Sequence, residues 1–310
     1  MSKARIVTIT CWAISALALS GLVLWLLLSN LFGFGFSIGT FEPVGTYRVS
    51  TDNINSLSID WTAGAVYIRP HAGDEIQITE FAQRELREGE ALSLNTDGGT
   101  LTILFTERMG LGLNNMPTKR LEVLIPYALI EQFTQVHVNT VSGRVVASGI
   151  HANDVVIGTT SGRIELARIN TPTLRASTTS GRIELSAVQA DEIHLRTVSG
   201  RITAANTQAE HLRTDTTSGR HELAGSFGYV NARSTSGRIE ITSASVPERL
   251  TARASSGRIY VTVPNEGPIS VQYSTSSGRF TSELPVLTHS GTDAQFNLST
   301  TSGRISIFAR

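Results

Sequence analysis

From Val136 to the C-terminus, apolar and polar residues alternate in short runs that recur in register with the tripeptide Ser-Gly-Arg. Seven positions before each glycine of that tripeptide stand Val136, Val155, Leu174, Ile193, Leu212, Val230, Leu250, Val271 and Phe296, all apolar. The fifth position before it is mostly apolar or small, and the third is usually Thr (Thr140, Thr159, Thr178, Thr197, Thr216). Polar residues such as Arg175 and Ser177 fall between them. Period-two alternation of this kind predicts a strand with one buried face. Beyond the glycine the parity changes. The arginine points outward and the second position is apolar in eight of nine copies, His221 being the exception. A switch of the inward set across Ser-Gly means that the chain bends there, and glycine accepts the positive φ or the tight backbone approach that such a corner needs. Each unit reads as strand, glycine corner, shorter strand and variable turn.

The nine glycines are Gly143, Gly162, Gly181, Gly200, Gly219, Gly237, Gly257, Gly278 and Gly303, spaced by 19, 19, 19, 19, 18, 20, 21 and 25 residues. A unit of about 19 residues with two short strands cannot bury its own core, so it must stack on its copies as one rung of a solenoid. The fold expected is all-β, a single-stranded, parallel β-helix-like solenoid over 140–310. With strands about 4.8 Å apart, nine rungs make a rod on the order of 40 Å long. A β-sandwich is the competing fold, but it calls for antiparallel hairpins and Greek-key variation, not a corner repeated in constant register. Residues 46–139 are less regular. Leu57, Ile59 and Trp61 before Thr62-Ala63-Gly64, with Val66 and Ile68 after, read as a degenerate first rung. Alternating segments follow at Glu75–Phe81, Ala91–Leu94, Thr100–Phe105 and Lys119–Pro126, with loops at Arg84–Glu90 and Gly110–Pro117. This region is expected to cap one end. At the other end the chain stops at Arg310, seven residues past Gly303. An uncovered last rung would be a pairing edge. Either the insertion Glu283–Gln295 folds over it or a second chain does.

The N-terminal residues follow a different pattern. After a short segment, 1–5, that carries Lys3 and Arg5, an uncharged run begins at Ile6, densest to Leu28. A helix of about 23 residues spans roughly 35 Å, enough to cross a hydrocarbon core of about 30 Å. Residues 6–28 therefore read as a transmembrane anchor, with the basic N-terminus inside and everything beyond a 29–45 linker outside the cytoplasm. A cleaved signal peptide is the alternative, its apolar core being about 7 to 15 residues long. Phe32, Phe34 and Phe36 read either as an interface belt or as loop residues at a helix end. Cys11, the one cysteine, lacks a lipidation context and rules out an intrachain disulfide. With 26 basic and 26 acidic side chains, bulk charge points to no partner class.

The Leu57-to-Ile68 opening, the strand Leu121-Glu-Val-Leu-Ile-Pro126 and rungs such as Thr159-Thr-Ser-Gly-Arg-Ile-Glu-Leu166 resemble the bacterial "putative adhesin" β-solenoid domains, over roughly Ser50 to Arg310. The resemblance implies a surface or envelope protein with a solenoid fold, and it brings no catalytic residues.

The candidate chemistry lies in the arginine column: Arg144, Arg163, Arg182, Arg201, Arg220, Arg238, Arg258, Arg279 and Arg304. A linear polyanion such as teichoic acid, acidic polysaccharide or lipid head groups could lie along it. The alternative is structural, because Glu165, Glu184, Glu222 and Glu240 stand two residues after their arginines and can neutralise them. Like charges about 4.8 Å apart in water repel by roughly 0.9 kcal/mol, so such interleaving is useful to the fold alone. No catalytic, cofactor or metal site is expected: the seven histidines lack ligand spacing, and no nucleophile elbow, phosphate loop or nucleic-acid motif occurs. The function expected is that of a membrane-anchored extracytoplasmic binding or scaffold protein that contacts an anionic wall polymer or a protein. An accessory role in envelope-stress signalling is the alternative. A polysaccharide-active β-helix enzyme is the third and least supported reading.

Overall fold

The computed structural model describes residues 40–105, 118–131, 133–287 and 294–310. The expected membrane span at 6–28 and the loop expected at Gly110–Pro117 lie outside them. Among the described residues no helix is long and apolar enough to cross a membrane.

The regular rungs run through β8 (Phe133–Ser142), β9 (Val145–Ser161), β10 (Ile164–Ser180), β11 (Ile183–Ser236), β12 (Ile239–Ser243), β13 (Arg249–Ser256) and β14 (Ile259–Val263). Before them come β1 (Glu42–Val49), β2 (Ser56–Ala63), β3 (Val66–His71), β4 (Ile76–Ala82), β5 (Ser93–Asp97), β6 (Thr100–Leu104), β7 (Lys119–Pro126) and the single turn α1 (Tyr127–Ile130). After them come β15 (Ile269–Ser282), β16 (Val286–Leu287) and β17 (Gln295–Ala309). Neighbouring rungs are parallel and in register: Ile164 pairs with Val145 and Ile183, Leu174 with Val155 and Ile193, and Ser180 with Ser161 and Ser199. Equivalent residues thus form ladders, and their apolar members form one continuous core.

Each rung has three walls, one more than the sequence pattern predicts. In the rung after Gly162 the buried residues are Ile164 and Leu166, then Ile169 and Thr171, then Leu174, Ala176 and Thr178. The alternation breaks between each group, so the chain turns three times per rung. What reads as a variable turn contains the middle wall. Its entry corner holds a left-handed residue at the same place in four successive rungs, with φ of 64° at Gly149, 52° at Arg168, 54° at Ala187 and 50° at Asn206.

The Ser-Gly corner works by proximity. A Cβ placed on Gly162, Gly181 or Gly200 would lie 1.7, 1.8 and 1.7 Å from the carbonyl oxygen of the corner glycine one rung before. No side chain fits there. The same column continues through Gly64, whose virtual Cβ meets the Lys119 carbonyl at 1.6 Å. It therefore also records the order in which the layers stack.

At both ends that order departs from the order of the sequence. Gly303 stacks on Gly257, and Gly278 stacks on Gly303. Correspondingly, β17 lies between β13–β14 on one side and β15 on the other. The last rung of the chain is thus interior, and it is the preceding rung, β15, that covers it, where the sequence offered the insertion Glu283–Gln295 or a second chain. The outer layer is β15, where Tyr273 and Phe280 occupy inward positions opposite Leu298 and Ile305 and stack at 4.0 Å, 6° from parallel. The first rung, β2–β3, is likewise interior: β6 and β7 cover it on the side away from β8 and β9. Beyond them β5, β4 and β1 add antiparallel. This cap buries an ion pair invisible in the alternation. Lys119 Nζ lies 2.8 Å from Glu80 Oε1 with both side chains fully buried, and 4.1 Å above the Phe105 ring. Glu80 Oε2 accepts 3.0 Å from the Leu92 amide.

Candidate anion-binding faces

The arginine column stands on the outer side of the Ser-Gly corner, held at rung spacing by the glycine stack. Six of its members are partnered. Arg144 bonds Glu165 of the next rung, and Arg163 reaches the same carboxylate at 3.3 Å. Arg182 pairs with Glu184 at 3.0 Å, Arg220 with Glu222 at 3.2 Å, Arg201 with Glu222 at 3.8 Å and Arg238 with Glu240 at 3.9 Å. Burial opposes ionisation of Glu165, but its hydrogen bonds and charge contacts with Arg144 and Arg163 outweigh it and hold the carboxyl below its ordinary range. For most of its length the column is a neutralised ladder.

Its last three members differ. In the stack they occupy three consecutive rungs and run Arg258, Arg304, Arg279, the last two in inverted order. All three are exposed, and none has an ion-pair partner among the described residues. The glutamate position of the rung is taken by Tyr260, Ser306 and Thr281. A shallow groove of about 560 Å³ follows the corner from Gly200 to Arg258 and leads toward this end. All nine arginines are thus brought onto one edge, and among the described residues three of them have no ion-pair partner.

A second basic row lies on the wall that precedes the corner, where Arg196, Arg213, Arg233 and Arg253 border a groove of about 600 Å³. Asp215, the one carboxylate lining it, is taken up by Arg213 Nε at 2.9 Å and His194 Nε2 at 3.3 Å. Arg196, Arg233 and Arg253 are exposed and form no ion pair among the described residues. Sequence reasoning passed over these arginines as polar spacers. The signal was the recurrence of Arg196, Arg233 and Arg253 four residues before the glycine, diluted by Asn139, Gly158, Ser177, Asp215, Ser274 and Ser299 at the same position in other rungs, while Arg213 stands six before its glycine.

His221, singled out because it replaces an inward isoleucine, is buried completely. Its Nδ1 shares a 2.9 Å hydrogen bond with Thr214 Oγ1, and no hydrogen-bond partner reaches Nε2. Burial pushes its pKa down to about 4, only partly offset by Asp215 and the Arg233 backbone. It is a neutral core residue at ordinary pH. Among the described residues no group of His, Cys, Asp or Glu is placed to hold a metal ion.

Residues 54–308 match the family described as Toastrack DUF4097. No functionally curated protein matches. Similar solved structures include a "putative adhesin" of Parabacteroides distasonis, 14% identical, with a TM-score of 0.54 over 87% of this chain and 98% of that one. A "putative lipid binding protein" of the same species is 13% identical, with a TM-score of 0.55 over 87% and 97%. A "putative adhesin" of Parabacteroides merdae is 12% identical, with a TM-score of 0.53 over 85% and 95%. At these identities the likeness is one of fold.

Proposed function

The chain belongs to the Toastrack DUF4097 family, and from that premise we propose that it is a non-enzymatic binding or scaffold protein of the bacterial envelope. In this reading residues 6–28 tether it in the membrane, the solenoid stands outside the cytoplasm, and the free end of the arginine column meets a linear polyanion. The observation that carries the reading is the contrast within the column: six arginines neutralised by the fold, and three consecutive ones, Arg258, Arg304 and Arg279, exposed and without an ion-pair partner among the described residues. Guanidinium groups at rung spacing suit a chain of anionic groups, and their exposure makes the attraction sensitive to salt. The names of the similar structures, two adhesins and a lipid binding protein, are in keeping with a binding role.

The test is binding of the full chain, in detergent, to long-chain inorganic polyphosphate at graded salt. Replacing Arg258, Arg279 and Arg304 together by Gln is expected to weaken binding at least tenfold and flatten its salt dependence. The same change at Arg163, Arg182 and Arg220 should have little effect. Equal loss from both triples, or none from either, refutes the localisation.

A further inference from the structure

We propose that the wall groove bordered by Arg233 and Arg253 is a separate binding site, and that its ligand is an acidic polyol chain, an anionic group repeated along a backbone bearing hydroxyls. This goes beyond the column reading and does not depend on it.

Two rows of side chains carry the proposal. Arg233 stands directly opposite Arg253 in parallel register, so two exposed guanidinium groups without ion-pair partners among the described residues occupy adjacent rungs about 4.8 Å apart. In that same row, Arg253 is followed by Ser299 and then Ser274. Two residues along each strand, a parallel row presents Thr217, Thr235, Ser255, Thr301 and Ser276 to the same groove. Asp215 at the far end is consumed by Arg213 and His194. Although burial opposes it, the contacts with Arg213 and His194 hold its carboxyl below the ordinary range, so it stays an anion and offsets Arg213, while Arg196 on the preceding rung is an exposed cation with no ion pair among the described residues. Beyond the offset Arg213–Asp215 pair the groove thus grades from a cationic segment at Arg233 and Arg253 to an uncharged hydroxyl ladder.

Each part of this gradient selects a different feature of the ligand. A pair of guanidinium forks at rung spacing clamps one phosphate or carboxylate. The Ser and Thr rows both donate and accept, which suits the hydroxyls of a sugar or glycerol backbone and gives a bare polyanion nothing beyond what water supplies. The corner column differs in this respect, because its arginines are flanked by the glycine stack and single serines. The two faces share no lining residue.

The test uses the full chain with three probes: poly(glycerol phosphate), polygalacturonate and long-chain polyphosphate. Arg233→Gln with Arg253→Gln should weaken whichever of the first two binds by at least tenfold, and which one binds identifies the acid as phosphate or carboxylate. Thr235→Val, Ser255→Ala and Thr301→Val together, with both arginines intact, should weaken that same probe several-fold and leave polyphosphate unchanged. Circular dichroism confirms that these surface variants keep the fold. Absence of binding to both polyol acids at low salt overturns the proposal, as does binding that survives the arginine pair or is lost only in the Arg258/Arg279/Arg304 triple. The last of these results would still uphold the column, so the two readings fail separately.

Discussion

Of the three turns in each rung, two are of opposite character. The Ser-Gly corner has glycine nine times out of nine, yet at Gly162, Gly181 and Gly200 the missing side chain is required by the carbonyl of the rung below and not by a left-handed φ. The corner that opens the middle wall is left-handed at Gly149, Arg168, Ala187 and Asn206, and only one of these is glycine. A steric overlap with backbone admits no alternative residue. A left-handed φ costs a non-glycine residue roughly 1–2 kcal/mol, which a stack of this size absorbs. Conservation of a residue type along a solenoid therefore reports contact between rungs more faithfully than it reports conformation within one.

The largest effect expected is from breaking the first corner. In Gly181→Ala the new Cβ would lie 1.8 Å from the Gly162 oxygen. Two hydrogen bonds that join these rungs, Gly162 N to Ser180 O at 3.1 Å and Ile164 N to Arg182 O at 2.9 Å, flank the contact and would have to lengthen. Overpacking against rigid neighbours typically costs about 1–3 kcal/mol. Because backbone meets backbone here, the expected loss is about 3 kcal/mol or more, measured as a drop in the urea midpoint. A native midpoint would mean that the column tolerates a side chain and that the nine glycines serve something other than packing.

Just behind the first corner, the second position after the glycine tests how far the corner's strictness extends into the core. His221 occupies this ladder between isoleucines, opposite Ile239. With a folded pKa of about 4 against an ordinary 6.5, the native state binds fewer protons than the unfolded state between those values. Stability is then fully present above about pH 6.5 and falls as the pH drops toward 4. The shift corresponds to about 3 kcal/mol. Thr214→Ala with His221→Ile copies Ala232 and Ile239 of the following rung. The double variant is expected to lack this component, so that urea midpoints of the two proteins converge at pH 7 and separate at pH 4, the variant being the more stable. Parallel pH curves would sink the assignment.

What the sequence revealed follows the same division. The first corner, the alternating walls and the arginine column were legible because each recurs at a fixed distance from a glycine that has no substitute. The middle wall was not: Ile169, Val188 and their equivalents are inward, but the corner before them has no residue in common. The swapped order of the last two rungs was also hidden, because the Gly278 and Gly303 rungs carry the same motif and either can stack on Gly257. What remained as a signal was the spacing of 25 between those glycines, enough extra chain to step out one layer and return, and the aromatic Tyr273 and Phe280 at inward sites of the outermost rung. The buried Lys119–Glu80 pair left no trace in the alternation, since charged residues on paper mark an outward face. In the column, the absence of glutamate beside Arg258, Arg279 and Arg304 was visible. So was their place as the last three of the nine; only their order, with Arg304 in the middle, depends on the swap.

The smallest effect is expected at the second corner, and it has the opposite sign. Ala187 holds a φ of 54°, a region that glycine enters freely and alanine does not. In Ala187→Gly this strain disappears, while the unfolded chain gains freedom that opposes the benefit by about 0.4–1 kcal/mol. The net expectation is a gain of up to about 1 kcal/mol, read as a small rise in the urea midpoint. The mirror substitution, Gly149→Ala, should lower the midpoint by more, because its new Cβ also approaches the Pro70 ring at 2.9 Å. If instead Ala187→Gly destabilised the protein as Gly181→Ala is expected to, the two corners would obey one rule, and the distinction between contact and conformation would fail.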